Sequence, residues 1–311
     1  MRVCFVGIGS IAKRHIRNLT EICGERKIEL HIDALRRAGS GAAPVDGVER
    51  VYTSAEELPY GYDAIFLTNP TEYHAQMLLR LHEHGKHFFI EKPVTSLDTM
   101  KELENFAPRE DSVYYVACPL RYTNVIQYLK KEIDPAAVRS VRSISSSYLP
   151  DWRPGTDYRN TYSAHKDLGG GVSIDLIHEW DYLVYLFGMP DEVKSFIGKV
   201  SNLEIDSDDY AIYIARYADQ RIAEVHLDYF GRKSVRTVEL YMDDETIVGD
   251  LIAGEVRYLK AGRTVDLRAE RDVYQKRELS YFIDAISGKV PVHNSVEEAV
   301  KVLKLTQGII D

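Results

Sequence analysis

The chain has 311 residues, 45% of them apolar and 28% charged, proportions of a folded globular protein with room for two hydrophobic cores. A net charge of −9, with no long basic stretch to offset it, argues against nucleic acid as a partner, and nothing approaches the ~18 consecutive apolar residues of a membrane span. Three cysteines (Cys4, Cys23, Cys118) lack the paired spacing of a zinc site or disulfide framework, which points to a reducing setting and no bound metal.

The opening run, Val3 to Val6, is too short for a signal peptide, so a cytoplasmic location is expected. That strand feeds Gly7-Ile8-Gly9-Ser10-Ile11-Ala12 and a helix over Ile11 to Ile22. Gly7 permits the tight turn, Gly9 lets backbone approach a pyrophosphate, and Ala12 is small enough for the helix to pack on the strand. The first N–H groups of that helix then face the phosphates. A second strand, Leu30 to Leu35, carries Arg36 and Arg37 at its tip, and two guanidinium groups suit a ribose 2′-phosphate. NADP is the expected cofactor. NAD stays open, because a shifted register would bring Asp33 to the ribose instead.

Further apolar runs, Ala64 to Thr68, His87 to Ile90 and Val113 to Ala117, alternate with helical spacing such as Tyr73 to Glu83. Strands buried on both sides and separated by helices predict a doubly wound parallel sheet over residues 1–119. In such sheets ligands gather beyond the carboxyl ends of the strands. Thr68, Asn69, Pro70 and His74 follow one strand and Glu91-Lys92-Pro93 the next, so these residues are assigned to the cofactor rim. Lys92, restricted by the following proline, is placed to stabilise a developing alkoxide.

Residues 120–311 read differently. Val138 to Leu149, Val193 to Val200, Tyr210 to Tyr217, Ile222 to Phe230, Val235 to Met242 and Val256 to Lys260 are strand-like, several with strict alternation. They predict a large, mostly antiparallel sheet with accompanying helices, a substrate-binding and oligomerising α+β domain. One helix is expected from Ile174 to Phe187, after Gly169-Gly170-Gly171. At about 100° per residue it sets Ile177, Trp180, Val184 and Phe187 on one face, and Asp175, His178, Tyr182 and Tyr185 on another. His178 is a candidate proton shuttle, with Asp175 spaced to orient it. The loop holding Tyr148, Trp152, Arg153, Arg159, Tyr162 and Lys166 concentrates aromatic and positive groups in an acidic protein, which favours an anionic substrate. Arg121 either binds substrate or joins the domains as an ion pair.

With these residues assembled, the chain resembles the Gfo/Idh/MocA family of NAD(P)-dependent oxidoreductases nearly end to end, and a subgroup linked to surface-glycan and unusual-sugar pathways. The resemblance implies that Lys92 and His178 serve the reacting hydroxyl or carbonyl of a sugar derivative, and that a homodimer or homotetramer forms through the C-terminal sheet. Several members place Asp or Asn four residues before the histidine; here that position is Ile174. Two rival readings of the same residues are a glycoside hydrolase acting by transient oxidation and elimination, and a non-catalytic nucleotide-binding sensor.

Overall fold

A computed structural model describes residues 1–37 and 45–310, and the chain divides into two compact units, Met1–Ala117 with Asp272–Val300 and Cys118–Arg271 with Lys301–Asp311. The first unit is built on β1 (Arg2–Val6), β2 (His31–Leu35), β3 (Arg50–Tyr52), β4 (Tyr62–Leu67), β5 (Gly85–Ile90) and β6 (Tyr114–Val116). They lie in the order β3-β2-β1-β4-β5-β6 with every pairing parallel. The helices α1 (Ser10–Arg26) and α2 (His74–Leu81) are its crossovers. This is the doubly wound sheet the sequence predicts, and its strand order reverses between β1 and β4, the point at which sheets of this kind bind ligands.

The helix Arg271–Ile286 also belongs to the first unit from Asp272 onward, although a single cut after residue 119 puts it in the second. Packing explains the difference. Phe282 meets Phe66 and Phe89 edge-on, with ring centroids 5.7 and 5.3 Å apart, and Phe5 stacks on Phe66 at 4.5 Å. Glu278 accepts from the Tyr115 hydroxyl at 3.1 Å, and Arg26 pairs with Asp284 at 2.7 Å.

The second unit contains α3 (Asn124–Glu132), β7 (Val138–Tyr148), α4 (Val172–Asp175), α5 (His178–Phe187), β8 (Glu192–Gly198), β9 (Tyr210–Arg216), β10 (Ile222–Asp228) and β11 (Phe230–Met242). β12 (Thr246–Asp250), β13 (Glu255–Tyr258) and β14 (Arg263–Asp266) follow. In chain order α6, the helix Arg271–Ile286, and α7 (Val296–Leu305) come next, their residues from Asp272 to Val300 belonging to the first unit. The eight strands form one sheet in the order β14-β13-β12-β11-β7-β10-β9-β8, antiparallel except where β10 runs parallel to β7. One face is filled by residues such as Ala211, Tyr213, Ala215 and the wholly buried Trp180, whose ring meets Tyr213 at 5.3 Å.

Three local features depart from the sequence expectation. β3, β12 and β14 carry little apolar alternation and exist because a neighbouring strand pairs with them. The gap expected between Phe230 and Val235 is instead a register shift within β11. The helix expected from Ile174 to Phe187 breaks into α4 and α5, with Leu176 at φ −99° and ψ 31°. Among the described residues, no helix is long and apolar enough to cross a membrane.

Candidate functional site

In the first unit the glycine turn stands at the point where strand order reverses. Gly7 has φ +83°, its N–H donates to Leu35 O at 2.9 Å, and a Cβ there would lie 2.8 Å from Asn69 Cα. Only glycine permits both the left-handed backbone and that approach. Gly9 is extended and nothing lies within 4 Å of a Cβ built on it, so open space borders the turn. Ser10, Ile11 and Ala12 begin α1, which has neither a side-chain cap nor an acidic residue in its first turn. Uncapped N–H groups in a first turn that carries no acidic residue fit a bound pyrophosphate.

The neighbouring rim residues divide into braces and binders. Thr68 is buried, and its hydroxyl lies 3.0 Å from Val6 O and 2.8 Å from Gly7 O, so it ties the tip of β4 to the glycine turn. Pro70 is exposed beside it. Asn69 Nδ2 donates to Pro70 O at 3.3 Å, while its buried Oδ1 has no hydrogen-bond partner in the protein. An acceptor without a donor, next to Gly7, fits a ribose or carboxamide group of a dinucleotide. His74, expected at the cofactor, is 1% exposed with Nδ1 3.0 Å from Pro93 O and Nε2 2.9 Å from Asn69 O. Burial pushes its pKa below the ordinary imidazole value, against those carbonyls and Glu91, so it braces the rim rather than facing ligand.

Asp33 lies inside β2 rather than at its tip. Asp33 pairs with Cys4 in mid-strand, is 4% exposed, and accepts from Arg2 at 2.9 Å and from the Tyr62 hydroxyl at 2.7 Å. The tip of β2 is held instead by half-buried Arg36, whose N–H donates to Tyr52 O at 2.9 Å, and by exposed Arg37.

Glu91 and Lys92 extend β5, with Glu91 N donating to Leu67 O at 2.9 Å and the Lys92-Pro93 bond cis. His15 of α1 brings Nε2 to 2.6 Å from Glu91 Oε1, and Glu91 Oε2 accepts from Lys92 N at 3.2 Å. Burial alone would raise the Glu91 pKa. The His15 hydrogen bond, with the nearby His15, Lys92 and His74 charges, outweighs it and holds the carboxyl below its usual range. Nothing in the sequence pattern marks His15; only the approach of α1 to the tip of β5 reveals it. All three cysteines are buried and free, and burial pushes the Cys4 thiol up to about 12, far from a reactive thiolate.

In the second unit His178 is the first residue of α5 and half-buried. Because the helix breaks before it, a regular i−3 spacing does not relate it to Asp175. The Asp175 carboxylate accepts from the Tyr229 hydroxyl at 2.5 Å and from the Tyr162 hydroxyl, and burial with Asp175 beside it raises the Tyr229 pKa strongly. Trp152 meets the Tyr229 ring edge-on at 5.2 Å and donates Nε1 to Ser147 Oγ at 2.9 Å. Arg153 lies over the Tyr162 ring at 5.7 Å, and Arg232 over the Tyr148 ring at 3.9 Å. Tyr229, at the bend between β10 and β11, and Arg232, within β11, escape sequence reasoning because no local pattern marks them. The glycines serve the protein's own packing: a Cβ on Gly170 would sit 2.1 Å from Tyr162 O, and one on Gly171 2.2 Å from Asp208 Oδ1.

Three expected placements change. Tyr182 does not share a polar face with His178; it is fully buried and shares a hydrogen bond with Ser143 at 2.6 Å. Arg159 is neutralised by Asp157 at 2.8 Å and Glu204 at 2.9 Å, so it adds little net positive charge. Arg121, assigned to substrate, is 4% exposed and donates Nε and Nη2 to the two Asp181 oxygens at 2.9 and 2.7 Å. That fork is an ion pair, as the alternative reading held, but both partners lie inside the second unit. The surface group His165, Asp167 and Asp206 brings three possible ligand atoms within 4.8 Å, in a mostly exposed setting.

Two family models match the chain: "Oxidoreductase family, NAD-binding Rossmann fold" over residues 1–118 and "GFO/IDH/MocA C-terminal domain" over residues 126–248. The scyllo-inositol 2-dehydrogenase (NAD(+)) of Bacillus subtilis is 25% identical over 210 residues, which cover 65% of this chain and 58% of that protein. The chain spans little more than half the length of the first two curated relatives it matches, 52% and 58%. The solved structure of levoglucosan dehydrogenase in complex with NADH aligns with a TM-score of 0.85 at 19% identity, covering 99% of this chain and 95% of that one. UDP-N-acetylglucosamine 3-dehydrogenase from Acidithiobacillus ferrooxidans aligns at 0.78 with 20% identity, covering 99% and 95%. At these identities the structural likeness shows a shared fold.

Proposed function

This chain belongs to the GFO/IDH/MocA family of oxidoreductases, and from that premise we propose that it moves a hydride between a nicotinamide dinucleotide and a hydroxyl-bearing carbon of a sugar or sugar derivative. The observation that carries the reading is the set of groups at the carboxyl ends of β1, β4 and β5: the open glycine turn, the unpartnered Asn69 Oδ1 and the half-buried Lys92. When bound, the dinucleotide supplies the hydride donor or acceptor. Gly7 to Ala12 would hold its pyrophosphate, and Asn69 a ribose or carboxamide group. Lys92 donates a hydrogen bond to the reacting oxygen and stabilises its negative charge. His178 carries the hydroxyl proton. Arg153 and Arg232, rather than Arg159, support an anionic sugar derivative, since each guanidinium lies over a tyrosine ring on the same unit as His178.

The test is absorbance at 340 nm with scyllo-inositol, levoglucosan and UDP-N-acetylglucosamine, each with NAD+ and NADP+. Substrate-dependent reduction supports the reading. Release of free sugar without net change in nucleotide would replace it with the hydrolase, and nucleotide binding without any turnover of a wider sugar panel with the sensor.

NADP is the proposed cofactor because Arg36 and Arg37 directly follow β2, while Asp33 within it is buried and paired with Arg2. A charge-assisted hydrogen bond contributes roughly 1.5–3 kcal/mol, so Arg36→Asp with Arg37→Ala is expected to weaken NADPH binding about 10–100-fold. NADH affinity should hold or improve. Equal loss for both nucleotides, measured by fluorescence titration, would remove the 2′-phosphate assignment.

The proposed oligomer is a homodimer through the open face of the second sheet. Phe196 and Ile212 pair across β8 and β9 and are 72% and 37% exposed, and Ile214, next along that face, is 55% exposed. Contiguous apolar exposure of this kind marks an interaction surface. Phe196→Glu is expected to shift the mass measured by light scattering from dimer to monomer; a wild-type monomer would count against it.

A further inference from the structure

Lys92 lies between two residues that are each held by a buried histidine. His15, one turn and a half into α1, is 1% exposed, with Nε2 2.6 Å from Glu91 Oε1 and its ring edge-on to Phe89 at 5.1 Å. His74 opens α2, is 1% exposed, and spans the carbonyl oxygens of Pro93 at 3.0 Å and Asn69 at 2.9 Å. The two helices start at the nucleotide turn: α1 directly after Gly9, and α2 a short step after Asn69. Burying a polar ring is unfavourable unless hydrogen bonds offset the lost water, and here each ring turns one nitrogen to a neighbour of Lys92, His15 to Glu91 and His74 to Pro93. A lysine stem has high rotamer entropy, whereas a group that stabilises an alkoxide must be placed to about 0.5 Å. Fixing the residues on both sides of it reduces that freedom.

Resting on the reading of Lys92 as donor to the reacting oxygen, we propose that His15 and His74 are positioning residues that clamp Glu91 and Pro93, and so hold Lys92 in register with the nucleotide turn. Neither histidine touches substrate. His15 donates Nε2–H to the Glu91 carboxylate, which stays anionic beside the ammonium group. His74 is wedged between the Pro93 and Asn69 carbonyls and, as a neutral ring, donates to one of them at a time, so a displacement of either is felt at the other.

A glutamine at position 15 can place an amide N–H where His15 Nε2 stands, and leucine cannot; this separates hydrogen bonding from space filling. The variants are His15→Leu, His15→Gln and His74→Leu, each also combined with Lys92→Met. Lys92 placement is read without substrate, as its acetylation rate with trace acetic anhydride at one pH, by peptide mass spectrometry. Lys131, 82% exposed, is the internal reference. Both leucine variants should raise the Lys92 rate, at least about 5-fold for His15→Leu, and His15→Gln should stay near wild type. Turnover should fall about 10–100-fold in the leucine variants, the scale of a small misplacement, with KM and NADPH affinity nearly unchanged and no further loss on the Lys92→Met background. Should His15→Leu not fold, Glu91→Met removes both acceptor oxygens at similar length and carries the same expected rise.

Unchanged Lys92 labelling in both leucine variants would overturn the proposal, as would equal effects of leucine and glutamine at position 15, or a loss confined to NADPH affinity. Full activity of Lys92→Met alone would instead overturn the catalytic reading of Lys92. The clamp would then still be decided by the labelling rates.

Discussion

Lys92→Met is expected to bind dinucleotide normally and lose most of its turnover. Methionine keeps an unbranched stem of similar length, so packing around the cis Lys92-Pro93 turn survives. What disappears is the ammonium donor. Removing one preorganised donor to a developing oxyanion costs about 10²–10³ in kcat. The groups proposed to hold the nucleotide are elsewhere, at Gly7 to Ala12, Asn69 and the tip of β2, so NADPH affinity should change by less than about 3-fold, well under 1 kcal/mol. Steady-state kinetics together with a fluorescence titration separate the two effects. A variant with undiminished kcat would show that the reacting oxygen is served by another group.

Arg121→Met should unfold at a much lower temperature, whatever it does to catalysis. The guanidinium is 4% exposed and forked onto Asp181, with its centre 5.2 Å above the Tyr185 ring. Removing it leaves a buried carboxylate without its counter-charge, a change that costs roughly 3–5 kcal/mol. For a unit of this size each kcal/mol shifts Tm by about 2–4 °C, so a fall of roughly 6–20 °C is expected in a calorimetric scan. The double variant Arg121→Met with Asp181→Leu should regain much of the loss, because both charges are then gone. An unchanged Tm with a raised KM for sugar would return Arg121 to the substrate.

These two residues also mark how far the sequence can be read. Lys92 is legible because its neighbours are local: an apolar run delivers it to a strand end and proline follows it. Arg121 is ambiguous, since its partner stands 60 residues away and no local pattern tells an arginine that meets substrate from one that meets Asp181. Asp175 is a similar case. Its spacing to His178 points to one helix face, but the break at Leu176 removes that regularity, and the Tyr229 hydroxyl arrives from 54 residues later. Gly170 and Gly171 are legible as positions of close approach, whereas the approaching atoms, Tyr162 O and Asp208 Oδ1, are not.

By itself the sequence determined the doubly wound sheet, the glycine turn at its switch point, the Glu91-Lys92-Pro93 strand end and the mostly antiparallel second sheet. Each of these is written in short-range periodicity or in the backbone needs of glycine and proline. The tertiary structure decided the rest: that Asp33 is spent on Arg2 and Tyr62, that Arg121 and Arg159 are neutralised within their unit, that residues 272–300 return to the first sheet, and that His15 and His74 hold the neighbours of Lys92. The physical reason is the same throughout. A charged or polar side chain takes its role from the partner that burial imposes on it, and that partner is chosen by packing between segments far apart in the chain.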